Sequence, residues 1–158
     1  MQALHANKLR WLIVAMTASA APVVFGFDLL ARQLVIGTQP PELQQFMAEH
    51  VTTFAWWALP FPLAGSVAGM LVYPWMYRRL LARHKASPPS GAGPEQRADL
   101  EALFLAASLV QLPALLGDFS VLLGARLTPA ICSSTISTAS VVLIALVGRR
   151  LLGTGAGL

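Results

Sequence analysis

Between residues 51 and 77 the chain carries twenty-seven consecutive residues without a formal charge, and a basic cluster follows directly at residues 78–85. A helix needs about 20 residues to cross the hydrocarbon core of a bilayer, which is about 30 Å thick. Clusters of Lys and Arg mark the side of the membrane that faces the cytoplasm. This pattern therefore predicts a transmembrane helix that ends on the cytoplasmic side.

Apolar segments of similar length recur along the chain and predict four transmembrane helices, at about residues 11–30, 51–77, 102–125 and 127–148. Hydrophobic residues make up 56% of the chain and charged residues only 11%, against about 25% charged residues in typical soluble domains. The length of 158 residues allows a single domain. We expect one all-α integral membrane bundle of four antiparallel helices over residues 1–158.

The distribution of basic residues predicts the orientation of the bundle. Nine of the eleven Lys and Arg residues lie before the first span, between the second and third, or after the fourth, whereas Arg32 and Arg126 lie on the opposite side. By the positive-inside rule, both termini are cytoplasmic. Residues 86–98 are rich in Pro, Gly and Ser and are expected to form a flexible cytoplasmic loop. The expected location is the inner (plasma) membrane of a bacterium.

This orientation can be tested by labelling single cysteines from each side of the membrane. Cysteines introduced at Ser90 and Gly155 should react only with a reagent applied from the cytoplasmic side, and a cysteine at Gln44 only with a reagent applied outside. The native thiol of Cys132 is removed first, so that each signal has one source. Labelling of positions 90 and 44 from the same side would contradict the orientation.

The N-terminal segment also has features of a secretory signal peptide. Lys8 and Arg10 precede a short apolar stretch, and Ala18-Ser19-Ala20 resembles the small-residue pattern of a cleavage site. The apolar character continues well beyond this site, however, and Pro22 disfavours cleavage nearby. We expect an uncleaved first helix, with cleavage after Ala20 as the alternative.

Asp118 is the most informative polar residue, because a carboxylate within a membrane span is costly and usually faces the bundle interior or a water path. Gln111 lies seven residues earlier, on the same face of a helix, and Ser108 extends this stripe. One interpretation is a proton or ion pathway along these side chains. In the other, Asp118 reaches toward lipid headgroups or Arg126, and Gln111 bonds to a neighbouring helix.

The fourth span has an unusual density of hydroxyl groups, among them Ser134 and Thr138. These side chains are candidates for the polar lining opposite Gln111 and Asp118. The interpretation that we favour is close helix packing, because small residues and interhelical hydrogen bonds are ordinary features of membrane bundles.

Two further patterns concern packing. Gly65 and Gly69 form a small-xxx-small pattern that suits a close helix crossing in the second span. Asp28 and Arg32 stand one helical turn apart near the end of the first span, which predicts a local ion pair.

One stretch resembles a known family. Residues 106–109, Ala-Ala-Ser-Leu, lead into residues 111–117, Gln-Leu-Pro-Ala-Leu-Leu-Gly. Together, residues 106–117 resemble the ion-carrying helix of the ATP synthase c subunit. Gln111 stands in place of the ion-binding carboxylate, and a carboxamide does not exchange a proton near neutral pH. The resemblance implies a related packing of a helical hairpin and not a rotary ion-carrying role.

No motif predicts a catalytic residue, a metal site or a cofactor, and nothing indicates a nucleic-acid partner. The sequence favours a non-enzymatic multi-pass membrane protein that acts by packing, as an accessory or structural subunit of a membrane complex or as a homo-oligomer. Its expected partners are the lipid bilayer and other membrane subunits or itself. The alternative is a small ion or proton channel or transporter that uses Asp118, and a membrane-embedded enzyme is the third interpretation.

Overall fold

The computed structural model describes the backbone of residues 2–86 and 93–154, and within them the side chains of residues 7–86 and 93–148. The elements of these residues are all α-helices, in the order α1 (Gln2–Val35), α2 (Pro41–Ala58), α3 (Pro60–Lys85), α4 (Pro94–Leu122) and α5 (Leu127–Thr154). Within the part of the chain whose side chains are described, four segments are long and apolar enough to cross a membrane: Asn7–Val35, Pro41–Lys85, Pro94–Leu122 and Leu127–Gly148. The predicted all-α membrane fold with four spanning helices is confirmed.

Several helices extend beyond the predicted spans. Helix α4 begins at Pro94, so residues 94–98 of the predicted loop are helical, and residues 87–92 lie outside the described residues. The prediction ended each span near the first charged residue. Charged residues are compatible with a helix, since Glu and Arg have high helix propensity. A charge therefore marks the end of the apolar stretch and not the end of the helix.

The second membrane segment consists of two consecutive helices that meet at Leu59. Proline at position 60 has no N–H group to donate to the carbonyl of Trp56, and its ring interferes with a continuous helix. The N–H of Leu59 donates to that carbonyl instead, at 3.2 Å. Pro60 then occupies the first position of α3, where its missing N–H costs nothing.

Helix α4 lies at the centre of the bundle and contacts each of the other helices. Its buried face consists mainly of small residues, which let the surrounding helices approach closely. The apolar core is formed by Val14, Tyr73, Ala102, Leu103, Ala106, Ala107, Val110, Val141, Ile144 and Ala145. Many large apolar side chains, such as Phe27, Trp57 and Leu116, point away from this core, as expected for a protein whose solvent is lipid.

Both glycines of the small-xxx-small pattern face α4. A Cβ atom at Gly69 would lie 2.6 Å from Cγ2 of Val110 and 3.2 Å from the carbonyl oxygen of Ala106. At Gly65 it would lie 3.3 Å from Cγ of Pro113. Glycine at position 69 is therefore required for the observed distance between α3 and α4, and position 65 is less restricted.

Candidate functional site

The side chain of Asp118 lies inside the bundle, near the end of α4, and is 0% exposed. Neither of its carboxylate oxygens has a hydrogen-bond partner. It does not reach the bundle surface, where the side chain of Arg126 is exposed. The interpretation that placed Asp118 among lipid headgroups is thus wrong. A buried carboxylate without a partner is costly, so this position calls for a compensating ligand or proton.

Asp28 of α1 lies one turn before Arg32, and Arg32 binds just beyond the end of α4. The Oδ2 atom of Asp28 is buried without a hydrogen-bond partner. The predicted ion pair between Asp28 and Arg32 does not form. Arg32 donates instead to the carbonyl of Ala125, at 2.9 Å, and to that of Gly124, at 3.4 Å. Unpaired carbonyls at a helix C-terminus attract a cation, which explains why Arg32 binds these carbonyls and not Asp28.

Ser133 of α5 lies against Gly117, the residue before Asp118. Its side chain is buried, and its Oγ atom has no hydrogen-bond partner. A Cβ atom at Gly117 would lie only 2.9 Å from that Oγ, so α5 approaches α4 closely beside Asp118. Asp28, Asp118 and Ser133 each have a buried polar atom without a hydrogen-bond partner, and we call these three residues the Asp118 site.

Gln111 is also buried, at 4% exposure, and both its amide atoms lack hydrogen-bond partners. At 1.5 Å per residue, it lies about 10 Å from Asp118 along the axis of α4. Ser108 is exposed, and its hydroxyl donates to the carbonyl of Phe104 at 2.8 Å. The prediction that Ser108 extends the buried polar stripe is therefore wrong. Its hydroxyl is satisfied by its own helix, which allows it to face lipid.

Ser134 and Thr138 face α1 and not Gln111. The hydroxyl of Thr138 donates to the carbonyl of Ala18 at 3.1 Å. That carbonyl lacks its usual helical donor, because Pro22, four residues later, has no N–H group. Ser134 and Thr138 line a cleft of about 320 Å³ beside this proline. Thr138 therefore supplies the hydrogen bond that Pro22 cannot donate within α1. Ser134 lies beside Thr138 in the same cleft.

Other hydroxyls of α5 also bond across helices. Ser137 donates to the carbonyl of Val110 on α4 at 2.5 Å, and Ser140 donates to the hydroxyl of Ser66 on α3 at 2.7 Å. Two more helix contacts are thus fixed by α5 hydroxyls. Ser133 is buried like these serines, but its hydroxyl has no hydrogen-bond partner.

A second polar cluster lies where α1 and α4 begin. Arg10 and the hydroxyl of Tyr73 both donate to the carboxylate of Asp99, and Arg10 also donates to the carbonyl of Ala145 at 2.7 Å. These residues, which we call the Arg10 network, join α1, α3, α4 and α5. Gly148 lies against the Tyr73 ring and leaves room for it. Sequence reasoning missed this network, since Arg10 and Asp99 are 89 residues apart in the chain.

The two polar clusters lie at opposite ends of α4. Asp99 and Asp118 are separated by about 28 Å along the helix, close to the thickness of the hydrocarbon core. Between them the buried residues of α4 are mainly apolar: Ala102, Leu103, Ala106, Ala107, Val110 and Ala114, with Gln111 as the polar one. The apolar core thus closes the interior between the Arg10 network and the Asp118 site.

No known protein family, curated protein or solved structure matches the chain. The chemistry open to the Asp118 site therefore follows from its own side chains. Within the described residues, no three His, Cys, Asp or Glu side chains are grouped as ligands for a metal ion. What the site offers is two carboxyl groups and one hydroxyl.

Proposed function

We propose that the chain is a small, non-enzymatic membrane protein that binds and transfers protons or small cations at Asp118. The observation that carries this proposal is the complete burial of Asp118 with no hydrogen-bond partner. Buried side chains with a purely structural role normally have their polar atoms bonded. Ionisable groups that face the interior of a membrane bundle typically mark ion paths and proton relays.

We further propose that the Asp118 site lies near the outer surface of the inner membrane. The excess of Lys and Arg at the other end of the helices supports this orientation. Asp118 lies four residues before the end of α4 at Leu122, which is about 6 Å along the axis. Exchange with the outer solution thus needs only a short path, whereas exchange with the cytoplasm requires the apolar core to rearrange.

The resemblance of residues 106–117 to the ion-carrying helix of the ATP synthase c subunit stays a hypothesis. It is compatible with an ion-binding role for α4, with a different residue as the carboxylate. Asp118 supplies the carboxyl group two turns after Gln111, so the mode of ion binding would be this protein's own.

A second candidate function is that of an accessory or structural subunit, or of a homo-oligomer. The apolar core that closes the interior favours it, because the described residues offer no continuous polar path between the two ends. Gly65 and Gly69 are already used in the contact between α3 and α4. A partner, or a second copy, would therefore bind through another surface of the bundle.

The test is ion flux into liposomes that contain the purified protein. The wild type should carry protons or a small cation, and Asp118→Asn should reduce the flux to that of protein-free liposomes. The variant keeps the shape of the side chain and loses the group that exchanges a proton. Glu49→Gln is the matched control, because Glu49 is an exposed carboxylate on α2, and its flux should equal that of the wild type.

Thermal stability is measured in parallel to show that each variant is folded. Flux that depends on Asp118 in folded protein supports ion transfer. Absence of flux in folded wild-type protein would contradict it and leave the accessory role as the better interpretation.

A further inference from the structure

We propose that the cleft between α2 and α4 binds one acyl chain of a phospholipid, whose phosphate group contacts Arg126 at the mouth of the cleft. The cleft has a volume of about 390 Å³. One wall consists of α4 side chains between Leu112 and Leu123, which are mainly apolar. The other wall is formed by apolar side chains of α2 and of the first turn of α3: Val51, Phe54, Ala58 and Phe61.

The cleft lies between two points that hold α2 to the rest of the bundle. At one point, the hydroxyl of Thr52 accepts a hydrogen bond from the backbone N–H of Arg126 at 2.8 Å. At the other, α2 ends at Ala58, and α3 begins two residues later at Pro60. The walls between these points stay open to the lipid, since the side chains of Phe54 and Leu116 are 71% and 70% exposed.

The length of the cleft suits a hydrocarbon chain that enters from one side of the membrane. Leu112 and Leu123 are separated by about 16 Å along the axis of α4, at 1.5 Å per residue. This is about half the thickness of the hydrocarbon core, which is about 30 Å. The cleft therefore runs from the end of α4 toward the middle of the bilayer, to the depth of one leaflet.

The charge at the mouth of the cleft favours a phospholipid over an uncharged lipid. Arg126 follows Leu123 by three residues, and its backbone is bonded to Thr52, the neighbour of Val51. Its side chain is exposed, and no ion pair of the described residues involves it. A guanidinium group binds phosphate oxygens through paired, charge-assisted hydrogen bonds. An apolar cleft with a free arginine at its mouth thus matches both parts of a phospholipid.

The test is native mass spectrometry of the purified, lipid-free protein, titrated with dipalmitoyl phosphatidylglycerol. The wild type should bind one molecule per chain about tenfold more tightly than any further molecule. Dipalmitoyl glycerol has the same chains and no phosphate, and it should bind about tenfold more weakly, because it makes no charge-assisted hydrogen bond to Arg126.

Variants separate the phosphate contact from the binding of the chain. Arg126→Gln should weaken binding of the phospholipid about tenfold and leave binding of dipalmitoyl glycerol unchanged. Arg78→Gln is the matched control, because Arg78 is exposed on α3 away from the cleft, and it should bind both lipids like the wild type.

Two tryptophan variants fill the cleft from its two ends. Val51→Trp and Ala58→Trp should each weaken binding of both lipids, whereas Ala68→Trp, at an exposed position of α3 outside the cleft, should bind both like the wild type. Thermal unfolding shows which variants are folded, and the second variant serves if the first does not fold.

Equal affinity of the wild type and Arg126→Gln for phosphatidylglycerol would overturn the phosphate contact. Undiminished binding by a folded Val51→Trp or Ala58→Trp protein would overturn the cleft as the site of the chain. A lipid-free dimer that the tryptophan variants abolish would also overturn the proposal, because a second copy would then occupy the cleft. None of these measurements depends on ion flux, so the proposed function is tested separately.

Discussion

Replacing Gly69 with leucine should prevent α3 from packing on α4, whereas the same change at Ala68 should leave the bundle folded. A Cβ atom at position 69 would lie 2.6 Å from Val110 and 3.2 Å from a backbone carbonyl of α4, and leucine adds three more carbons. Overpacking of this kind lowers the free energy of unfolding by about 3 kcal/mol or more where the backbone must move. Ala68 is exposed, so a larger side chain there extends into lipid.

The measurement is thermal unfolding in detergent, together with the elution profile of the purified protein. Gly65→Leu should have an intermediate effect, since its nearest neighbour is a proline side chain at 3.3 Å. Equal stability of the variants at positions 65, 68 and 69 would mean that the glycine spacing has no role in the helix crossing.

The second large effect should follow from Arg10→Met. This change removes the cation that pairs with the Asp99 carboxylate, to which the hydroxyl of Tyr73 also donates. Removing one partner of a buried ion pair costs about 3–5 kcal/mol. The side chain of Arg10 is 3% exposed and that of Asp99 is 13% exposed, so solvent screens the pair little. Because the network joins four helices, the whole bundle should become less stable.

Arg78→Met is the control, because Arg78 is exposed on α3. The free energy of unfolding of this variant should lie within about 0.5 kcal/mol of that of the wild type. Tyr73→Phe removes one hydrogen bond and should cost about 1–3 kcal/mol, less than the loss of Arg10. If Arg10→Met were as stable as Arg78→Met, the Arg10 network would not hold the helices together.

The spans could be predicted from the sequence because lipid imposes a strict requirement on length and polarity. The fourth span shows this most clearly, since Arg126 and Arg149 border its apolar stretch and α5 begins at the predicted residue 127. Helix α4 begins eight residues before the predicted third span, because Arg97, Asp99 and Glu101 are compatible with a helix although they are charged.

The polar sites could be predicted only in part. Asp118 and Gln111 stand out because a polar residue within an apolar span is visible in the sequence alone. Contacts between helices are not visible in this way, and the pairing of Arg10 with Asp99 does not follow from local spacing. Arg32 illustrates the same limit. Local spacing predicts a pair with Asp28, but the carbonyls of Gly124 and Ala125, just beyond the end of α4, compete for its guanidinium.

The most direct test of the Asp118 site is infrared spectroscopy of the protein in lipid bilayers. A protonated carboxyl group absorbs separately from an ionised one, and the band shifts when deuterium replaces its proton. The wild type should show a protonated carboxyl band at neutral pH that shifts in heavy water, and Asp118→Asn should lack it. Identical carboxyl spectra for wild type and Asp118→Asn would contradict a proton held at this site.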